Sequence, residues 1–206
     1  MQDDLKSITY PSIVPLTSRA QQYHNDMFSK MVESSKKLEI TPISVFVCGP
    51  SANGHPVTQK KIDIINELRA REVTAILGEE EVGRLKAEDN RLGNCAKPDN
   101  AYELLIAEAA DLIVVIRASP GSTAEAHEFL SHSGIETKTL ICVDKAHSGG
   151  YSDAGAILLH RNLGYPVYDY SFPEDIDSCK LKSKVIEWVR SHQIAKGMKQ
   201  KGFQVQ

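Results

Sequence analysis

The chain has 206 residues, 41 % hydrophobic and 25 % charged, and its 24 basic against 27 acidic side chains leave a formal charge of −3. A chain of this size buries roughly 70 % of its unfolded surface and forms a core without a metal or disulfide. The near balance of charge excludes a surface that is wholly a nucleic-acid footprint. No apolar run reaches the roughly 20 residues of a membrane span, and Met1-Gln2-Asp3-Asp4 has neither the basic flank nor the apolar stretch of a secretory leader. The expectation is a cytoplasmic protein without membrane contact.

In chain order, an irregular arm of sixteen residues with two prolines precedes a helical pattern over Thr17–Leu38, with Tyr23, Met27 and Met31 on one stripe. Ile43–Cys48 is a short β-branched run closed by Gly49-Pro50 and a polar loop, which predicts a buried strand and a turn. A helix follows over Val57–Arg71, with Ile62, Ile65 and Leu68 at helical spacing, and then a strand over Val73–Leu77. The charged segment from Glu79 to Lys97 reads as a loop with a short helix. Asp99 reads as the N-cap of a helix over Ala101–Ala110.

The clearest buried strand is Asp111–Ile116. Ser119-Pro-Gly-Ser-Thr123 leads from it into a helix over Ala124–Ser133, and Thr139–Val143 is a fourth strand. Ser152–Leu163 reads as helical, Pro166–Tyr170 as a fifth strand and Leu181–Ile194 as the last helix. Continuously apolar strands alternating with helices predict an α/β fold of three layers, flavodoxin- or Rossmann-like, around a five-stranded parallel sheet. The expected strand order is 2-1-3-4-5, with an N-terminal helix added. The organisation is then an arm and helix over 1–40, an α/β domain over 41–195 and a polar tail over 196–206.

In such a sheet, ligands bind beyond the carboxyl ends of the strands at the point where the order reverses. Between the first and third strands, that point joins the loop after Cys48 to the segment Arg117–Glu125. The first supplies Gly49, Pro50, Ser51 and Asn53 as one wall, with His55 either a ligand contact or a surface residue. The second supplies Ser119, Gly121, Ser122 and Thr123 at a helix start. There, free N–H groups and the helix dipole suit a phosphate or sugar hydroxyl, unless a serine or threonine simply caps its own helix.

Glu125 falls in what reads as the first turn of that helix, where the dipole favours the ionised form and a nucleophilic role. Glu128 lies one turn on, either at the same site or in a salt bridge. Tyr151, in the loop after the fourth strand, is placed to cover a base. One of Glu79–Glu81 either touches a ribose or belongs to a solvated run, and Asp111 reads as a turn or cap residue. Cys48, Cys95, Cys142 and Cys179 are too scattered for a metal site, and Cys48 and Cys142 read as core thiols. No Walker A or GxGxxG pattern occurs, and neither a metal nor a cofactor is expected.

Val45-Phe-Val-Cys-Gly-Pro50, the Asp-led strand Asp111–Ile116 and Ser119-Pro-Gly-Ser-Thr-Ala-Glu125 together resemble the nucleoside 2-deoxyribosyltransferase-like superfamily. More narrowly, Ser-Pro-Gly-Ser-x-Ala-Glu is similar to the effectors of retron anti-phage systems. The resemblance covers Ile43–Tyr170 and implies that Glu125 is the superfamily's nucleophilic glutamate. The chain departs from the common Glu-x-Gly pattern, because His127 stands two residues after Glu125.

The activity so implied is cleavage of the N-glycosidic bond of a nucleoside or nucleotide, NAD included, by a toxin-like effector. The implied partners are a second copy of the chain and a reverse transcriptase–nucleic-acid complex as regulator. The rival expectations are a nucleotide-binding sensor without turnover and an interaction module built on the N-terminal helix and basic tail.

Overall fold

In the computed structural model, the described residues are Gln22, Asp26, Ser29, Lys30, 41–51, 56–95, 97–148 and 155–202. The chain divides into two units, Met1–Lys37 and Leu38–Gln206. In the first unit, the four described residues are helical and exposed. The stripe of Tyr23, Met27 and Met31 lies outside the described residues.

In the second unit, the apolar runs form five strands, β1 Ser44–Cys48, β2 Thr74–Leu77, β3 Leu112–Arg117, β4 Thr139–Asp144 and β5 Val167–Tyr170. All pair in parallel, in the order 2-1-3-4-5. The helices are α1 Pro56–Ala70, α2 Gly78–Arg91, α3 Asp99–Ala109, α4 Pro120–Leu130, α5 Ala156–Asn162, α6 Glu174–Asp177 and α7 Lys180–Gln200.

Alternate strand residues enter opposite layers. Val45, Val47, Val114 and Ile116 pack with Ile64, Ile65 and Leu68 of α1 and with Val185 and Val189 of α7. Phe46, Ile113, Val115 and Ile141 pack with Tyr102 and Ile106 of α3, Ala126 and Phe129 of α4 and Ile157 of α5.

Several boundaries differ from the sequence expectation. The segment after β2 is one helix of 14 residues that begins at Gly78 without a loop. Three glutamates in its first turn favour that start electrostatically. In α3, Pro98 occupies the N-cap position and Asp99 is the first helical residue, paired with Lys86 across the gap to α2. In α1, the buried face is Val57, Lys61, Ile64, Ile65 and Leu68, while Ile62 turns outward. The last helix passes Ile194 and reaches Gln200, so Lys196 belongs to it and not to a tail. Among the described residues, no helix is long and apolar enough to cross a membrane.

Asp111 ties the base of the sheet together. One carboxylate oxygen accepts from the Ser44 N–H at 2.9 Å and its hydroxyl at 3.1 Å, and the other accepts from Lys196 Nζ at 2.8 Å. The Asp111 N–H in turn donates to Ser44 Oγ at 2.9 Å. Partial burial works to raise the carboxyl pKa, but the Lys196 and Ser44 bonds outweigh it and hold it below its ordinary value. That stabilisation is present above the unfolded-state value and is lost as pH falls through the folded one. Asp111→Asn should therefore cost about 1 kcal/mol at pH 7 and less at pH 3, because the contribution shrinks as pH falls below the unfolded-state value toward the lower folded one. Urea denaturation at the two pH values measures this; an equal loss at both would contradict it.

Candidate active site

Gly49 follows β1 in a tight place, where an added Cβ would lie 3.2 Å from the Ile116 carbonyl oxygen and 3.4 Å from Lys61 Cδ and would press on both. Gly78, at the end of β2, is similarly confined by the Phe46 ring at 3.3 Å. These two glycines let β1, α1 and α2 converge at the carboxyl edge of the sheet. The cavity there measures about 320 Å³, at the small end of ligand sites. Its walls include Cys48, Gly49, Ser51, Glu79, Glu103 and Glu125, with Asp99 and Lys86 also lining it.

Lys61 lies beside this cavity. It is 1 % exposed, yet it belongs to a helix whose neighbouring positions look solvent-facing. Its Nζ donates to Glu79 Oε1 at 2.6 Å and to the Gly49 carbonyl at 3.4 Å. Burying an ammonium costs several kcal/mol unless it is paired, and these two acceptors offset that cost. The glutamate is 47 % exposed, so the pair joins a dry cation to a carboxylate that solvent or a ligand can reach.

Glu125 has the opposite surroundings. One oxygen, Oε2, is buried with no hydrogen-bond partner among the described residues. Burial, followed by the charges of Glu103, Glu79 and Glu128, pushes its carboxyl up to about 7, against a smaller opposing effect of Lys61. The dipole-held carboxylate expected from the sequence is thus corrected. The helix starts at Pro120, which puts Glu125 in the second turn, beyond the terminal N–H groups. Glu103 is raised too, first by burial and then by Asp99. The Cys48 thiol is pushed well up by burial and by Glu125, so it lines the wall without being a nucleophile near neutrality.

The Ser119–Thr123 segment does not line this cavity. Ser119 is the N-cap of α4 and accepts from the Ser122 N–H at 3.2 Å, while Ser122 Oγ accepts from the Ser119 N–H at 3.0 Å. The Ser122 hydroxyl also takes the Ala118 N–H, and the Thr123 N–H goes to the Ser119 carbonyl. Pro120 has no N–H, so the cap consumes most of the donors that a phosphate would need.

Ser119 and Thr123 border a separate depression with Arg117 and His147, and Gly121 is exposed. Arg117 donates to Thr123 Oγ1 at 3.1 Å. The Pro50 carbonyl accepts from Thr58 and holds its loop to α1. Glu128 accepts from Asn100 at 3.3 Å instead of lining the cavity. The His127 ring faces Gly155, with its Cε1 3.3 Å from the place of a Cβ, so it lies against the start of α5 and not in the Glu125 cavity. Asn53, His55 and Tyr151 lie outside the described residues.

The structure thus brings Glu125 together with Gly49 and Ser51, and adds Lys61 and Glu103, which sequence reasoning did not single out, while choosing Glu79 from the acidic run. The signal for Lys61 was a lysine at i+4 from Val57 on an apolar stripe that continues through Ile64, Ile65 and Leu68. Among the described residues, no group of three or more His, Cys, Asp or Glu side chains is arranged to hold a metal. No family model matches the chain, and no curated protein sequence matches it.

A carboxyl group whose folded pKa is raised stabilises the fold below its unfolded value, and the contribution is lost as pH rises through the folded value. Glu125→Gln should therefore leave stability at pH 4 unchanged and raise it at pH 8 by roughly 2 kcal/mol, after allowance for partial solvent contact. Urea unfolding at both pH values is the check. A variant less stable than the parent at pH 8 would contradict this environment for Glu125.

Proposed function

We propose that the cavity cleaves the N-glycosidic bond of a nucleoside or nucleotide, NAD among the candidates, with Glu125 as the carboxyl group at the reacting bond. The observation that carries this is the unpartnered, proton-holding Glu125 in a cavity at the carboxyl ends of β1 and β2, among further carboxylates. Scission at an anomeric carbon develops positive charge on the sugar and, for a purine or pyrimidine, basicity on the departing nitrogen, whereas the nicotinamide of NAD leaves without a proton. An acidic cavity stabilises the first, and a carboxylic acid that is protonated near neutrality supplies the second with a proton.

The same carboxylates disfavour phosphate, so the sugar and base enter and any phosphate stays at the solvent mouth. Gly49 allows the backbone to approach the sugar closely, and Ser51 offers it a hydroxyl. By the resemblance of its Ser119–Glu125 segment, the activity is that of a toxin-like effector in anti-phage defence. Self-association, cytoplasmic location and regulation by a reverse transcriptase–nucleic-acid complex belong to the same reading.

The test incubates the purified chain with a panel of nucleosides, nucleotides and NAD and measures released base by chromatography. Release of base is expected, with Glu125→Gln slowing it on the preferred substrate by about three orders of magnitude. Binding without release would make the protein a sensor. A Glu125→Gln rate within tenfold of the parent on every substrate would remove Glu125 from the chemistry.

A further inference from the structure

We propose that Glu79, held by the buried Lys61 ammonium, is a second catalytic carboxylate of this cavity and forms the bond to the sugar, while Glu125 donates the proton to the leaving base. The inference rests on the glycosidic reading above. It reverses the role that the sequence resemblance gives Glu125.

Glu79 is the second residue of α2 and lines the same cavity as Glu125. Its Oε1 takes the Lys61 ammonium at 2.6 Å, and Oε2 has no hydrogen-bond partner among the described residues. The lysine side chain is 2 % exposed, so little water competes for its charge. An ammonium buried in this way fixes the orientation of its carboxylate partner, which a nucleophilic carboxylate requires.

Among the described residues, Glu125 has no bonded cation. The groups that act on it are Glu103 of α3, Glu79 of α2, Lys61 of α1, Cys48 of β1 and Glu128 of its own helix, with Lys86 and Asp99 paired in the same wall. Burial first, and then three carboxylates against one buried lysine, favour the protonated form of Glu125. Two carboxyl groups of one cavity thus have contrasting surroundings, Glu79 on a buried cation and Glu125 without one, the pattern that separates a nucleophile from an acid.

In the first step, an oxygen lone pair of the Glu79 carboxylate forms a bond to the anomeric carbon. The carbon–nitrogen bond breaks, its electron pair stays on the base nitrogen, and that nitrogen takes the Glu125 proton. In the second step, the Glu125 carboxylate removes a proton from water. The water oxygen bonds to the anomeric carbon, and the Glu79 carboxylate departs with its electron pair. Base and free sugar are released, and both carboxyl groups return to their starting states.

The experiment compares two probes, a purine nucleoside, whose base must be protonated to leave, and nicotinamide riboside, whose base departs neutral without a proton. In single turnover, Glu125→Gln should slow base release about a thousandfold on the purine nucleoside and less than tenfold on the pyridinium probe, while steady-state turnover falls on both because the second step also uses Glu125 as its base. Glu79→Ala should lose about a thousandfold or more on both, and azide should restore release from the pyridinium probe with a glycosyl azide as product.

Should Glu79→Ala fail to fold because Lys61 is left unpaired, the double variant Glu79→Gln, Lys61→Met removes both charges and should lose activity equally on the two probes. Near-parental rates for the Glu79 variants, or azide rescue at Glu125→Ala in place of Glu79→Ala, overturn the assignment and leave the glycosidic reading standing. A parent chain that releases no base from either probe or from the wider panel overturns both.

Discussion

The site depends on one buried cation. Lys61 Nζ reaches the backbone after β1 through the Gly49 carbonyl and the start of α2 through Glu79. It therefore joins the connections that leave β1 and the edge strand β2 at their carboxyl ends. An unpaired ammonium in that position would cost more free energy than most side-chain contacts return, so both acceptors must stay in place. The fixed position of Glu79 and the confinement at Gly49 follow from this, while Glu103 and Glu125 add to the acidic character of the cavity.

The sheet supplies the rigidity that this arrangement needs. β3 is buried along its whole length, and Asp111 anchors its beginning to β1 and to Lys196 of α7. At the other end of β3, α4 starts at once, capped by Ser119. The early start carries Glu125 past the helix terminus and into the second turn, over the cavity. A cap that satisfies itself leaves little for a ligand, so the chemistry lies with carboxyl side chains and not with the helix end. The same geometry separates His127, which packs at Gly155, from the wall that Glu125 occupies.

Strand pattern was legible because each strand is a short, continuously apolar run between turn residues, and the order follows from the rhythm of crossovers. The helices were less so. Pro120-Gly121-Ser122-Thr123 carries every mark of a loop, yet it is the first turn of α4, since proline is at home at the first helical position. The glutamate run after β2 reads as solvated, but Gly78 opens a helix directly and turns Glu79 toward the buried lysine. Lys61 stands beside Lys60 in a polar-looking stretch, and only the packing of α1 against the sheet selects it for burial. Site residues drawn from loops fared unevenly: Gly49 and Ser51 line the cavity, whereas Ser119 and Thr123 face elsewhere.

The charge of Lys61 limits how strongly the surrounding carboxylates hold a proton on Glu125. Carbon-13 NMR of the glutamate side-chain carboxyls reads that proton directly, with Glu125 assigned by its Gln variant. The parent should show Glu125 titrating near pH 7. In Lys61→Met, the lysine charge is lost and Glu79 is left without its partner, and both changes favour protonated Glu125, so its midpoint should move to higher pH. An unchanged midpoint in a folded variant, or one that moves down, would contradict the account.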